Sequence, residues 1–128
     1  MMSKLNKLKN NEIFFEKEFS SLNRYFKIES DLEVKEFLKD NVGIFLILDE
    51  IKPYLDEYFL DDEYCLELIQ DPEIEDYTQL VLRVYVSEYR FNNGVREDIN
   101  YIRKEISPLR REFKIFTEFA LRPSVLNV

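Results

Sequence analysis

The period of the hydrophobic pattern changes three times along this chain, and those changes limit the fold more than any other feature. From Asn11 to Phe59 apolar residues recur at helical spacing. From Tyr64 to Ser87 they alternate, from Asn93 the helical spacing returns, and from Phe113 they alternate again. A helix repeats about every 3.6 residues and a strand every second residue, so this chain must build both kinds of element.

Phe15, Phe19, Leu22 and Phe26 fall on one face of a first helix, which Phe14 and Tyr25 widen. Such a stripe is a core face if the helix packs on a sheet, or a contact stripe for a partner if the N-terminal part stands apart. Ser30-Asp31-Leu32-Glu33 has the serine and glutamate spacing of a capping box. It predicts a short helix with Leu32, Phe37 and Leu38 inward, broken near Gly43. A third helix is expected from Ile44 to Phe59, burying Phe45, Leu48, Ile51, Leu55 and Phe59. Pro53 lies inside it and predicts a kink or restart near Asp49, because proline lacks the N–H and clashes with the preceding turn.

Leu66 and Leu68 alternate with Cys65, Glu67 and Ile69; Leu80, Leu82, Val84 and Val86 alternate with Val81, Arg83 and Tyr85. Two half-buried strands, 64–70 and 79–87, joined by the loop 71–78, predict an antiparallel hairpin. Asn93 then caps a helix with Val95, Ile99, Ile102 and Ile106 inward, closed by Pro108. Phe113, Ile115, Thr117 and Phe119 read as a third strand. The expectation is an α+β domain of order α-α-α-β-β-α-β: a small mixed three-stranded sheet with helices packed on one face. Residues 1–11 read as a flexible basic arm, 12–120 as the single domain and 121–128 as a tail.

Three stretches carry a resemblance: Phe37-Leu38-Lys39-Asp40-Asn41, Leu46-Ile47-Leu48-Asp49-Glu50 through Tyr58-Phe59, and Leu66 to Glu73 with its Asp71-Pro72-Glu73. Over roughly residues 36–87 the chain resembles a group of uncharacterised prokaryotic small α+β proteins. That group often has proline where this chain has Val42. The resemblance implies a pair of short helices before a strand ending in Asp-Pro-Glu, then a second strand and a helix. It brings no activity and no site residues.

Composition removes whole classes of chemistry. The 128 residues contain no histidine, one cysteine and two glycines. Without imidazole there is no Ser-His or Cys-His nucleophile pair and no histidine-ligated zinc or haem. With Gly43 and Gly94 alone there is no glycine-rich phosphate loop and no Gly-x-x-Gly clamp for RNA. Cys65 has no partner for an internal disulfide, and its acidic neighbours Glu63 and Glu67 disfavour a thiolate, so a structural role is expected. The lysine-rich start leads into no apolar segment, and the longest uncharged apolar run, 42–48, is far below the ~20 residues of a membrane span. A soluble, cytoplasmic protein without cofactor is expected.

Charge is distributed unevenly. Of 18 basic and 26 acidic residues, the segment 49–76 holds twelve acidic and one basic, net −11, while 1–48 is neutral and 77–128 is net +3. Asp61, Asp62 and Glu63 crowd the entrance to the first hairpin strand, and Asp71, Glu73, Glu75 and Asp76 crowd the loop. Three meanings are open: a solvated face that blunts a sheet edge, a docking surface for a basic partner, or a Mg2+ or Ca2+ site. The last departs from the EF-hand pattern, lacking its glycine and its final glutamate.

Arg96, Arg103 and Arg110 recur every seven residues beside Lys104, Arg111 and Lys114, with Glu97, Glu105 and Glu112 between them. The interleaving favours ion pairs over phosphate binding, and the negative total makes nucleic acid an improbable ligand. Glu112-Phe113-Lys114 matches the Glu-x-Lys that restriction-endonuclease-like nucleases place on a strand, with Asp71 as the one candidate for the second carboxylate. The expectation is a non-enzymatic domain acting by contact with a protein partner or with its own copies, for instance through the sheet face carrying Val81 and Tyr85. The alternative is a Mg2+-dependent phosphodiesterase using Asp71, Glu112 and Lys114.

Overall fold

The computed structural model describes residues 3–70, 73–74 and 77–126. Helices α1 (Lys4–Asn10) and α2 (Glu12–Tyr25) lead into a two-residue strand, β1 (Lys27–Ile28). Helices α3 (Asp31–Asp40) and α4 (Gly43–Tyr58) follow, then the hairpin strands β2 (Glu63–Gln70) and β3 (Thr78–Val86). Helix α5 (Glu88–Asn92), helix α6 (Val95–Phe113) and strand β4 (Phe119–Val125) complete the chain. The class is α+β, and the sheet is mixed. It has four strands rather than three, in the order β1-β2-β3-β4, with β1 parallel to β2, β2 antiparallel to β3 and β3 parallel to β4.

The hairpin pairs Leu66 with Leu82 and Leu68 with Leu80, and β4 sets Phe119 and Leu121 beside Leu80 and Leu82. These side chains share one face, and they form the core with Phe15, Phe19, Leu22 and Phe26 of the N-terminal segment. The alternation and the phenylalanine stripe are therefore explained by burial. Helix α4 contributes Ile44, Phe45, Ile47, Leu48, Ile51 and Leu55, and α6 contributes Val95, Ile99, Ile102 and Ile106. Each such side chain adds about 1.5–3 kcal/mol of burial free energy before entropy is subtracted. On the opposite face Cys65, Arg83 and Arg122 stand in one row, and Glu67, Val81 and Ala120 in the next. Val81 and Cys65 are buried there, outside the main core.

Both prolines inside helices are tolerated. Pro53 neither ends nor restarts α4, and Pro108 does not close α6, which continues to Phe113. An interior proline costs about 3 kcal/mol. Both prolines are exposed, while Ile51, Leu55 and Ile106 beside them are buried, so packing outweighs the local penalty. Because α6 continues, the last strand starts six residues later than the alternation predicts, and β4 occupies most of the segment read as a tail.

Three further expectations are corrected. Lys4–Asn10 is a helix, not an arm, because Leu8 is buried and Lys4 forms ion pairs with Glu18 and Asp49. Helix α3 begins where the capping box predicts, but Ser30 adopts a left-handed conformation (φ 60°), its side chain caps nothing, and Leu32 is 76% exposed while Val34 is buried. Asn93 ends α5 by donating from Nδ2 to the Tyr89 carbonyl, and Gly94 (φ 91°) supplies the turn into α6. Gly43 opens α4 against Phe113, where a Cβ would lie 2.8 Å from the phenylalanine Cβ.

Candidate functional site

An extended strand separates what the sequence places in one acidic segment. Asp61, Asp62 and Glu63 stand at the entrance to β2, while Glu73 follows its far end. At about 3.3 Å per residue the strand carries the chain roughly 23 Å from Glu63 to Gln70. Asp61, Asp62 and Glu63 therefore stand at one end of the strand and Glu73 beyond the other. Asp71, Glu75 and Asp76 lie outside the described residues. Other carboxylates of the segment are engaged internally: Asp49 with Lys4 and Lys52, Glu67 with Arg83, and Asp56 as acceptor from the Tyr25 hydroxyl at 2.7 Å. Among the described residues no group of three acidic or cysteine side chains is placed to hold a metal ion.

The cluster at the entrance to β2 adjoins the C-terminal end of α4. The last carbonyls of a helix lack intrahelical donors, and α4 has no basic residue in its final turn to offset them. Other elements supply the donors. The Tyr64 hydroxyl is shared between the Phe59 and Leu55 carbonyls, the Tyr25 hydroxyl lies 3.3 Å from the Lys52 carbonyl, and Arg90 Nη2 donates to the Tyr58 carbonyl at 3.2 Å. Arg90 is itself held by Asp98 of α6. The Tyr25 and Tyr64 rings stack with centroids 5.9 Å apart.

Beside this stack opens a cavity of about 550 Å³. Its wall combines Tyr25, Tyr64 and Tyr85 with the carboxylates of Glu29, Asp62 and Glu63; Lys27 is its one basic residue among the described ones, and Val125 and Leu126 close one side. Burial raises the Asp62 carboxyl above its ordinary value; Arg90 opposes that shift and Asp61 adds to it. Burial, reinforced by Asp56, Asp62 and Asp61, pushes the Tyr64 phenol up to about 12. Cys65 also lines the cavity, and its thiol is raised by burial, then by Glu29 and Glu67, which makes it a poor nucleophile. The Tyr25 ring is already taken by Tyr64 and by the Lys52 ammonium, 5.2 Å from its centroid, so a cation entering the pocket would meet the carboxylates and the rings of Tyr64 and Tyr85, through charge pairing and ring-face attraction.

The remaining sequence candidates separate. Glu112 is in the last turn of α6 and Lys114 caps that helix in a left-handed conformation (φ 55°), so Glu-x-Lys does not lie on a strand as the nuclease arrangement requires. Arg103 and Arg110 share one side of α6, contrary to the expectation that Pro108 would separate them, because the helix continues through the proline. Arg103 donates to the Leu121 carbonyl at 2.6 Å, and Arg110 donates to the carbonyls of Phe116 and Phe119. These arginines bind the main chain of the edge strand β4. No helix among the described residues is long and apolar enough to cross a membrane.

Asp62 and Glu63 were visible in the sequence as part of a charge cluster, and Tyr85 as part of the outer sheet face; Lys27 and Glu29 were not. Their proximity depends on β1 pairing with β2, which sets Lys27 beside Cys65, and on β3 setting Tyr85 beside Glu63. Comparison with family models, with curated proteins and with solved structures finds no match to this chain.

Proposed function

We propose that this chain is a non-enzymatic contact domain whose tyrosine-and-carboxylate cavity receives a lysine or arginine side chain of a protein partner. The observation that carries this is a cavity wall that sets Asp62, partly buried, beside Glu29, Glu63 and three tyrosines. Desolvation has already weakened the hydration of that carboxylate, so a cation entering the cavity gains more from it than from a fully solvated one. The absence of histidine and the raised Cys65 thiol leave the carboxylates of the cavity with no nucleophile of the chain to activate, which favours binding over catalysis. The lone cysteine suits a reducing, cytoplasmic setting.

The test is a titration with a blocked glycine peptide carrying one central arginine, and with the same peptide carrying neutral citrulline. The tyrosine ring signals of the cavity should shift with the arginine peptide only, and the shifts should vanish in an Asp62→Asn/Glu63→Gln variant. Equal responses to both peptides, or an unaltered response in the variant, would refute the proposal.

Self-association has its own support. On the sheet face away from the core, Glu67 and Arg83 pair within the chain, which leaves Glu63 on β2 and Arg122 on β4 at opposite sides, so a two-fold pairing would set Glu63 of one copy against Arg122 of the other. Sedimentation equilibrium in low and high salt checks it: a dimer that dissociates with salt supports this pairing, and a monomer throughout excludes it.

A further inference from the structure

The two edges of the sheet are treated differently. On the β4 edge, Arg103 and Arg110 occupy the carbonyls of Phe119 and Leu121, which blunts that edge against pairing. On the other edge, β1 covers only part of β2. Its two residues pair with Cys65 and Leu66, and the last contact is the Glu29 amide donating to the Leu66 carbonyl at 3.0 Å. Ser30 then turns left-handed and takes the chain away into α3. Strand β2 continues for four more residues, Glu67–Gln70, and no described strand lies beside them on that side.

Alternation fixes which groups are left. The Leu66 carbonyl faces β1, so the main-chain groups of Leu68 and Gln70 face the same way, while their neighbours pair with β3. Two amides and two carbonyls thus stand in the column that β1 vacates. A cavity of about 470 Å³ adjoins them, bounded by α3, the end of β2 and Thr78 at the start of β3. Leu32, Phe37 and Leu68 give it an apolar floor, and Glu33, Glu36 and Asp40 give it a negative rim. Glu36 is paired with Lys39 at 3.3 Å, but no basic residue among the described ones lines the cavity itself. The exposure of Leu32, puzzling in a helix whose other large side chains turn inward, belongs to the same groove.

We infer that the free end of β2 accepts an extended segment of a protein partner, with apolar and basic residues taking turns at every second position, as an added strand in line with β1. Its main chain pairs with Leu68 and Gln70, and every second side chain faces α3: the apolar ones of that row lie against Leu32 and Phe37, and the basic ones meet Glu33, Glu36 and Asp40. A second copy of the same edge is a poor occupant, because it would bring like charges together. This site shares no residue with the cavity at the other end of β2, and either proposal can fail without the other.

The probe is a blocked hexapeptide of sequence Val-Thr-Lys-Thr-Val-Thr, compared with its counterpart carrying glutamate in place of lysine and with a version N-methylated at alternate amides. Hydrogen exchange by NMR should show the Leu68 and Gln70 amides protected on addition of the lysine peptide. N-methylation on the pairing side removes two hydrogen bonds and should weaken binding roughly tenfold. The glutamate peptide should not bind, and a Leu32→Ser/Glu33→Gln/Glu36→Gln variant, altered only at exposed positions, should lose affinity while melting normally. Equal binding of the methylated peptide would overturn the inference. So would protection confined to the tyrosine cavity, or unaltered affinity in the triple variant.

Discussion

Replacing Gly43 with alanine tests how closely α4 and α6 approach. The new Cβ would lie 2.8 Å from Phe113 Cβ and 3.0 Å from its Cγ. Carbon atoms in good contact sit about 3.5 Å apart or more, so the pair must open by about 0.7 Å. The obstructing Phe113 Cβ is attached directly to the main chain of α6, and no rotamer change moves it away. Overpacking of this kind costs about 1–3 kcal/mol. Against it stands the gain from removing a helical glycine, about 0.4–1 kcal/mol. The net effect should be a loss of about 1–2 kcal/mol, or a fall in Tm of roughly 3–8 °C for a domain of this size. Thermal and urea melts of the wild type and of Gly43→Ala measure it, and Gly43→Ser should behave alike because it carries the same Cβ. A rise in Tm would mean that alanine at this position acts as an ordinary helix former, and the close approach to Phe113 would be refuted.

Tyr64→Phe removes the hydroxyl shared by the last carbonyls of α4 and should cost about 1 kcal/mol. The folded state holds the Tyr64 proton more tightly than the unfolded one, so its contribution is complete below about pH 10 and disappears toward the raised value of about 12. The wild type should therefore lose stability more steeply than the variant over that window, and parallel alkaline melting curves would contradict the cause given. Asp62→Asn should stabilise the protein at neutral pH. The raised carboxyl favours the neutral form in the folded state, so its penalty is absent below the unfolded value of 3.8 and present above the folded one. The two melting curves should converge in acid, and a variant less stable than the wild type at pH 7 would sink this account. Arg103→Ala/Arg110→Ala uncovers the β4 edge and should make association concentration-dependent in light scattering; a variant as monodisperse as the wild type would show that the arginines do not protect the edge.

Long elements with strong periodicity were legible in the sequence. The buried faces of α2, α4 and α6 and both hairpin strands follow from residue spacing, because each buries a whole stripe and leaves a charged remainder. What escaped was decided by tertiary contact. Strand β1 has two residues and no pattern of its own; it is a strand only because β2 lies beside it. Helix α1 is short and polar, and an isolated helix of that length is unstable in water, so Leu8 and the ion pairs of Lys4 decide its fate. Pro108 was weighed by its local cost, and the burial of Ile106 outweighed it, which shifted β4. The candidate site was legible only in part for the same reason: a charge run reveals Asp62 and Glu63, but Tyr25, Glu29 and Tyr85 arrive from three other elements.

The length of β2 also sets how the protein's charge is felt. At physiological ionic strength a charge is screened over about 8 Å, and the roughly 23 Å between Glu63 and Gln70 is about three such lengths. Asp61, Asp62 and Glu63 are therefore screened from Glu73 in saline. A small cation at the entrance to β2 meets only the carboxylates near it. A single long partner with basic groups spaced more than about 20 Å apart would meet both ends. For such a partner the second contact forms at the high effective concentration set by the first, so avidity, rather than net charge, would distinguish it from ordinary basic proteins.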